Sequence, residues 1–215
     1  MTGRQRTRGI VRTLAVAAAV LFSTPGWAFA QGLEFSGGVN FSELNGAAIQ
    51  DAARNVGVNL GVDLILPVGP IGLGVGFDWA QRGVDAADGV ADPTAIDLSY
   101  IEVPINLRLP LVGAGPIRLN LIVGPRIGIN TGCEISIDAS PFSDCEAASE
   151  GSFEPNALDW SGTAGLGVGF ALGGLAYAGT ELTYVHGFSD VAPDVAADLK
   201  NRAFTLQAFL GFDLF

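Results

Sequence analysis

The sequence predicts an all-β protein: an eight-stranded antiparallel up-and-down transmembrane β-barrel with short periplasmic turns and longer acidic extracellular loops. Three observations lead there. At least six segments alternate apolar with small or polar residues at period two; the chain opens on an export signal; and the connections between the alternating segments are short and long by turns. The clearest segment sets Val56, Val58, Leu60, Val62, Leu64 and Leu66 against Asn55, Gly57, Asn59, Gly61 and Asp63. A strand sends successive side chains to opposite faces, so one face is greasy and the other carries glycine, amide and carboxylate. Eleven residues at about 3.3 Å each, tilted by roughly 40°, cover about 28 Å along a barrel axis, close to the apolar band of an outer-membrane barrel.

Residues 1–30 read as a cleaved secretory signal and residues 31–215 as the barrel domain. Arg4, Arg6, Arg8 and Arg12 form the basic region, Leu14 to Phe22 the apolar core, and Ala28-Phe29-Ala30 the cleavage site before Gln31. The apolar core is about half the length a spanning helix needs and is followed by Pro25 and Gly26. Strands are then expected near Leu33–Ser42, Asn55–Leu66, Ile71–Arg82, Ile96–Leu109, Ile117–Asn130, Leu158–Leu172, Ala176–His186 and Arg202–Phe215. Pro67-Val68-Gly69-Pro70, Pro110 to Pro116 and Gly173-Gly174 mark tight turns after the second, fourth and sixth. The other gaps are longer and hold the acids Asp85, Asp88 and Asp92, then Glu134 to Glu154, then Asp190, Asp194 and Asp198, all read as loop residues. An even strand count, with both termini on the short-turn side, is the layout of a bacterial outer-membrane barrel in the Gram-negative envelope. Closure pairs every backbone group, which lipid demands.

Composition narrows the class. All 22 acids but only seven basic residues follow Ala30, a formal charge of −15, and Lys200 is the one lysine. That balance argues against nucleic acid, whose phosphates need clustered Lys and Arg. A soluble barrel carrying an apolar ligand would turn its greasy face inward and its charged face to water. The face opposite the greasy one holds Gly72, Gly74, Gly76 and Asp78 on one strand and Thr163, Gly165, Gly167 and Gly169 on another, which suits a crowded interior better than a soluble exterior.

Tyr100-Ile101-Glu102-Val103-Pro104-Ile105 resembles the opening of the central strand in outer-membrane β-barrel families called porin-family or PorT-like proteins. Gly124-Pro125-Arg126-Ile127-Gly128 is similar to their following Gly-Pro step. Glu181-Leu182-Thr183-Tyr184 with Gly187-Phe188-Ser189-Asp190 resembles their penultimate strand and its exit. The resemblance covers essentially the whole chain after residue 30, and it implies fold and outer-membrane location. Terminal Phe215 is the residue by which such barrels are handed to the barrel-assembly machinery through the C-terminal strand. Here Gly211 and Asp213 stand on its parity, while the greasy face runs through Phe204, Leu206, Ala208, Leu210 and Phe212, so a bulge near Asp213 would be needed to bring Phe215 onto lipid.

Asp63, Asp78, Glu102, Arg108, Arg118, Arg126 and Glu181 share the inward parity and form the expected lumen charge network. A hairpin centred on Gly113 would set Arg108 opposite Arg118 and Arg126 diagonal to Glu102. Eight strands leave no open aqueous channel, so a salt-bridged plug is expected in place of a selectivity filter. Cys133 and Cys145, the two cysteines, lie in the longest gap and are expected to form a disulfide in an oxidising compartment.

Enzyme activity has little support, and no cofactor or metal is expected: no phosphate loop, dinucleotide fingerprint or calcium hand is present. His186, Ser189 and Asp190 are close in sequence, but a triad needs its members to meet in space. The expected partners are outer-membrane lipid, the assembly machinery, and lipopolysaccharide or another extracellular ligand at the acidic loops. The reading is an outer-membrane barrel with a structural or surface-interaction role. Its alternatives are a narrow or gated pore for small solutes, a soluble apolar-ligand barrel and an outer-membrane lipid-modifying enzyme.

Overall fold

The computed structural model describes residues 32–45, 53–85, 94–114, 117–137, 143–145, 155–191 and 199–214. The expected signal at residues 1–30 and the terminal Phe215 lie outside them. Nine strands are described: β1 (Gly32–Asn45), β2 (Ala53–Val68), β3 (Ile71–Asp85), β4 (Thr94–Ala114), β5 (Ile117–Ile137), β6 (Ser143–Asp144), β7 (Leu158–Gly173), β8 (Ala176–Gly187) and β9 (Lys200–Asp213). Eight of them close into an antiparallel up-and-down barrel. β1 pairs with both β2 and β9, and β4 pairs with β5, so the sheet meets itself with no free edge. The two-residue β6, absent from the sequence expectation, clips onto the outer end of β5 through Ile135↔Ser143 and Glu134↔Asp144.

The short connections fall at one rim. Gly69-Pro70 joins β2 to β3, and Gly174-Leu175 joins β7 to β8. Gly69, Gly173 and Gly174 have φ of 63°, 105° and 60°, a backbone region open to glycine at no steric cost. The outward faces carry Phe35, Leu60, Phe77, Ile101, Leu166, Leu182 and Leu206, all exposed, while the inward faces are polar. This is the reverse of a soluble carrier and matches a barrel standing in lipid. Near the loop rim the outward surface carries an aromatic cluster, with the Tyr184 and Phe204 ring centroids 5.0 Å apart and those of His186 and Phe188 5.6 Å apart.

The strands run further than the alternation suggested, chiefly at the loop rim. β4 and β5 each have 21 residues and pair up to Thr94↔Ile137. Asp85, Glu134 and Asp144 consequently end or extend strands and are not loop residues. Two irregularities make this long hairpin workable. Thr131 is skipped between the pairs Ser99↔Gly132 and Tyr100↔Asn130, and the extra residue turns Cys133 and Ile135 inward. At the other end a register shift follows Pro110, which has no N–H to give the ladder.

The position of the turn corrects one expectation. The hairpin turns between Ala114 and Ile117, so Arg118 faces Gly113 and Arg108 faces Ile122; the two arginines are not opposite each other. In the middle of β4 the pairing lapses at Val103-Pro104 on the β3 side and at Ile105-Asn106, opposite Gly124-Pro125, on the β5 side. Gly124 lets the Ile105 carbonyl pass where a Cβ would collide with it. Up to Asp213 the last strand shows no bulge: β1 and β9 pair without a break from Asn45↔Lys200 to Gly32↔Asp213.

Candidate functional site

Alternation turns one residue in two into the barrel, and in this chain those residues are charged or amide side chains stacked in layers. Nearest the short-turn rim, Arg108 of β4 reaches β1 and β8. Its Nη2 lies 2.7 Å from Glu34 Oε2 and its Nη1 2.6 Å from Glu181 Oε1. Gln207 of β9 donates to the other Glu181 oxygen at 2.9 Å. The layer above joins β3, β4 and β5. Arg126 Nη1 sits 3.0 Å from Asp78 Oδ2 and 2.5 Å from Glu102 Oε2, and Arg82 Nη2 approaches Glu102 Oε1 at 2.9 Å. Glu102 opposes Gly128 and Pro104 opposes Arg126, so Glu102 and Arg126 are diagonal neighbours.

A third layer is held by amide and hydroxyl groups. Asn201 Nδ2 donates to Tyr100 Oη at 3.0 Å and to Asp159 Oδ2 at 2.6 Å, and Ser189 Oγ donates to Asp159 Oδ1 at 2.5 Å. Above it the lumen ends in an apolar cap of Leu44, Val84, Ile96, Leu98, Tyr100, Cys133, Ile135, Cys145, Val191 and Leu199. Cys133 and Cys145 form a disulfide with Cα atoms 5.5 Å apart, which fastens the start of the long loop into this cap. On one side the wall itself is mended from within. β2 and β3 lose register between Arg54 and Asn59; there Asn40 Nδ2 donates to the Gln81 carbonyl, and Ser42 Oγ accepts from the Gly83 N–H. Both side chains come from β1, across β2, and satisfy backbone groups the irregularity would leave unpaired.

The expected network is therefore distributed. Asp78, Glu102 and Arg126 meet in one layer, and Arg108 and Glu181 in another. Asp63 is buried on β2 beside Gly76 and joins none of the described ion pairs. Arg118 is exposed at the short-turn rim, away from both clusters. Two partners escaped the sequence reading, Glu34 and Arg82, both fully in the lumen. Parity was the available signal: Arg82 lies four residues from Asp78, on the same face, and Glu34 lies between Leu33 and Phe35.

The lumen residues are dry in geometry, with Arg82 and Glu102 each 1% exposed. Several buried polar atoms nonetheless lack a protein partner, among them Asn59 Oδ1 and Nδ2, Ser36 Oγ and the Nε of Arg82, Arg108 and Arg126. His186, Ser189 and Asp190 do not assemble. The His186 ring lies outside the barrel, with Nδ1 3.4 Å from Tyr184 Oη, while Ser189 Oγ is held by Asp159 and accepts from the Trp160 N–H at 2.7 Å.

The family described as outer membrane protein beta-barrel domain matches residues 29–192. Among solved structures, the outer membrane protein OprG from Pseudomonas aeruginosa is similar at 12% identity and a TM-score of 0.53, over 86% of this chain and 96% of that one. The attachment invasion locus protein Ail of Yersinia pestis, solved with the heparin analogue sucrose octasulfate, has 15% identity and a TM-score of 0.46, over 85% and 99%. A major outer membrane protein of Thermus thermophilus has 11% identity and a TM-score of 0.49, over 85% and 98%. The OprG likeness is one of fold. No match is found among curated proteins.

Proposed function

Since the chain belongs to the outer membrane protein beta-barrel domain family, we propose that this outer-membrane barrel is plugged by its own side chains and works through its loop rim, in a structural or surface-interaction role. The observation that carries the plug is the buried Arg82–Glu102–Arg126–Asp78 cluster, which fills the lumen beside the neighbouring strands β3, β4 and β5 with Glu102 bonded to two arginines, above the Arg108 layer that reaches from β4 to β1 and β8. A selectivity filter keeps its charges hydrated and facing a water column, whereas here the charges neutralise one another. The apolar cap and its disulfide add a second closure on the outer side.

Outer-membrane lipid surrounds the barrel wall. The acidic loops are the surface offered to an extracellular ligand or to lipopolysaccharide, and the C-terminal strand is the handle for the assembly machinery. Planar-bilayer recording tests the plug. The unmutated protein is expected to give no steady conductance, and clear ion-selective channels whose preference changes in Glu102→Ala would promote the pore above it.

A further inference from the structure

The short-turn rim, which faces the periplasm in a barrel of this layout, holds a cavity of about 500 Å³ below the Arg108 cluster. Ile65, Tyr177 and Phe209 line it, and Arg108 shields its inner end with both terminal nitrogens occupied by Glu34 and Glu181. Two of its glycines, Gly72 and Gly169, are unlike others on the inner wall. At Gly38, Gly165 and Gly179 an added Cβ would strike the backbone of the next strand, so packing demands glycine there. At Gly169 a Cβ would come no nearer than 3.5 Å to Phe209, and at Gly72 no nearer than 3.4 Å to Arg108 and Ile65, both ordinary contacts. No close backbone approach requires glycine at these two positions; what glycine does there is leave space.

Two charges of opposite sign look onto that space. Arg118, near the start of β5, and Asp213, at the end of β9, both line it. β7 and β8 separate them around one side of the barrel, and the four strands from β1 to β4 around the other. Among the described residues neither makes an ion pair. Glu34, the other acid on the wall, is paired with Arg108, which it shares with Glu181.

We propose that this cavity binds a short peptide from the periplasmic side, its carboxylate on Arg118, its ammonium on Asp213 and an apolar side chain against Phe209 and Tyr177. One unpaired cation and one unpaired anion on separate walls match a zwitterion whose charges stand apart. β5 and β9 stand three strand steps apart, at about 4.8 Å a step, too far for a free amino acid with both charges on one carbon and within reach of about three extended residues, which span about 10 Å, with the two side chains closing the rest. The volume falls within the range of about 300–1,000 Å³ usual for ligand pockets. The site lies on the other side of the charge clusters from the loops, so it stands independently of the loop-rim reading.

The test uses the full barrel in lipid nanodiscs and three probes with one apolar body: Ala-Phe-Ala, its N-acetyl form and its C-terminal amide. Amide NMR shifts at Gly72, Gly169 and Asp213 report binding, and heat-modifiability on gels reports folding. Ala-Phe-Ala is expected to saturate these shifts, with each blocked peptide about tenfold weaker for the loss of one charge-assisted contact. Arg118→Gln should erase the preference for the free carboxylate alone, and Asp213→Asn the preference for the free amine alone, with the gel shift unchanged. Equal binding of the three peptides, no saturable shift, or shifts confined to the loop rim would overturn the proposal.

Discussion

Single residues in this barrel are judged by what lies behind them, and glycine and glutamate show it most sharply. Gly165→Ala should destabilise the barrel, because its Cβ would collide with the Leu182 carbonyl and crowd Thr183; Gly72→Ala, at 3.4 Å from its nearest neighbours, should be close to neutral. Urea or heat unfolding followed by gel mobility separates the two. Glu102 is a harder case. It is bonded to Arg82 and Arg126, and Glu102→Ala strands both guanidiniums in a confined space at a cost of about 3–5 kcal/mol. Arg126 keeps Asp78, which sets the lower end of that range. A barrel that loses nothing in Glu102→Ala would show that the lumen is wet enough to rehydrate the arginines.

At the scale of the strand, the two faces should answer to opposite rules. Leu182 and Leu206 oppose each other on the outward faces of β8 and β9, both exposed. Leu182→Arg should cost about 2–4 kcal/mol if it stands near the bilayer midplane. On the inward face of β3, Gly74→Ser should cost far less: its Cβ would press only on Ile65 Cδ1 at 3.2 Å, the far end of a side chain that can shift, and would lie 3.6 Å from Arg108 Nε, a nitrogen with no protein partner. Folding yield into vesicles measures both, and equal tolerance would mean the faces are assigned the wrong way round. The long hairpin of β4 and β5 depends on another device. Its outer end is held by the cap and the disulfide, so Cys145→Ser should loosen the start of the long loop by about 3 kcal/mol of lost closure entropy, while the lipid-facing wall stays intact. Hydrogen exchange should then quicken at Glu134 and Ile135 and not at Leu121.

For the molecule as a whole, the exposed apolar wall and the family point to one compartment. The mature protein is expected to fractionate with the outer membrane and to need detergent, and recovery as a soluble periplasmic monomer would sink the barrel in lipid. The layers of the lumen give the barrel its mechanical logic. Two of the layers tie together strands that are not neighbours in the sheet: Arg108 on β4 holds Glu34 on β1 and Glu181 on β8, and Asn201 on β9 holds Tyr100 on β4 and Asp159 on β7. The sheet alone fixes neighbours, whereas these ties fix the cross-section. Loosening one layer should therefore lower the temperature at which the gel shift is lost without moving the protein out of the membrane.

The fold was legible in the amino-acid order because a strand's faces alternate with a period of two wherever the backbone is regular. Val56 to Leu66 announced a lipid wall, the proline and glycine turns announced which rim was short, and two cysteines in one gap announced a disulfide. What alternation could not reveal was where the period breaks. The skipped Thr131 turned Cys133 and Ile135 inward and built the cap, and the turn between Ala114 and Ile117, later than one centred on Gly113, moved Arg118 away from Arg108. Nor could it say which inward charges meet, since Arg108 finds partners on β1 and β8, 74 and 73 residues away in sequence. Those pairings are set by the tilt and closure of the barrel, a property of all eight strands together, so tertiary structure alone decided the layers of the lumen and the cavity at its mouth.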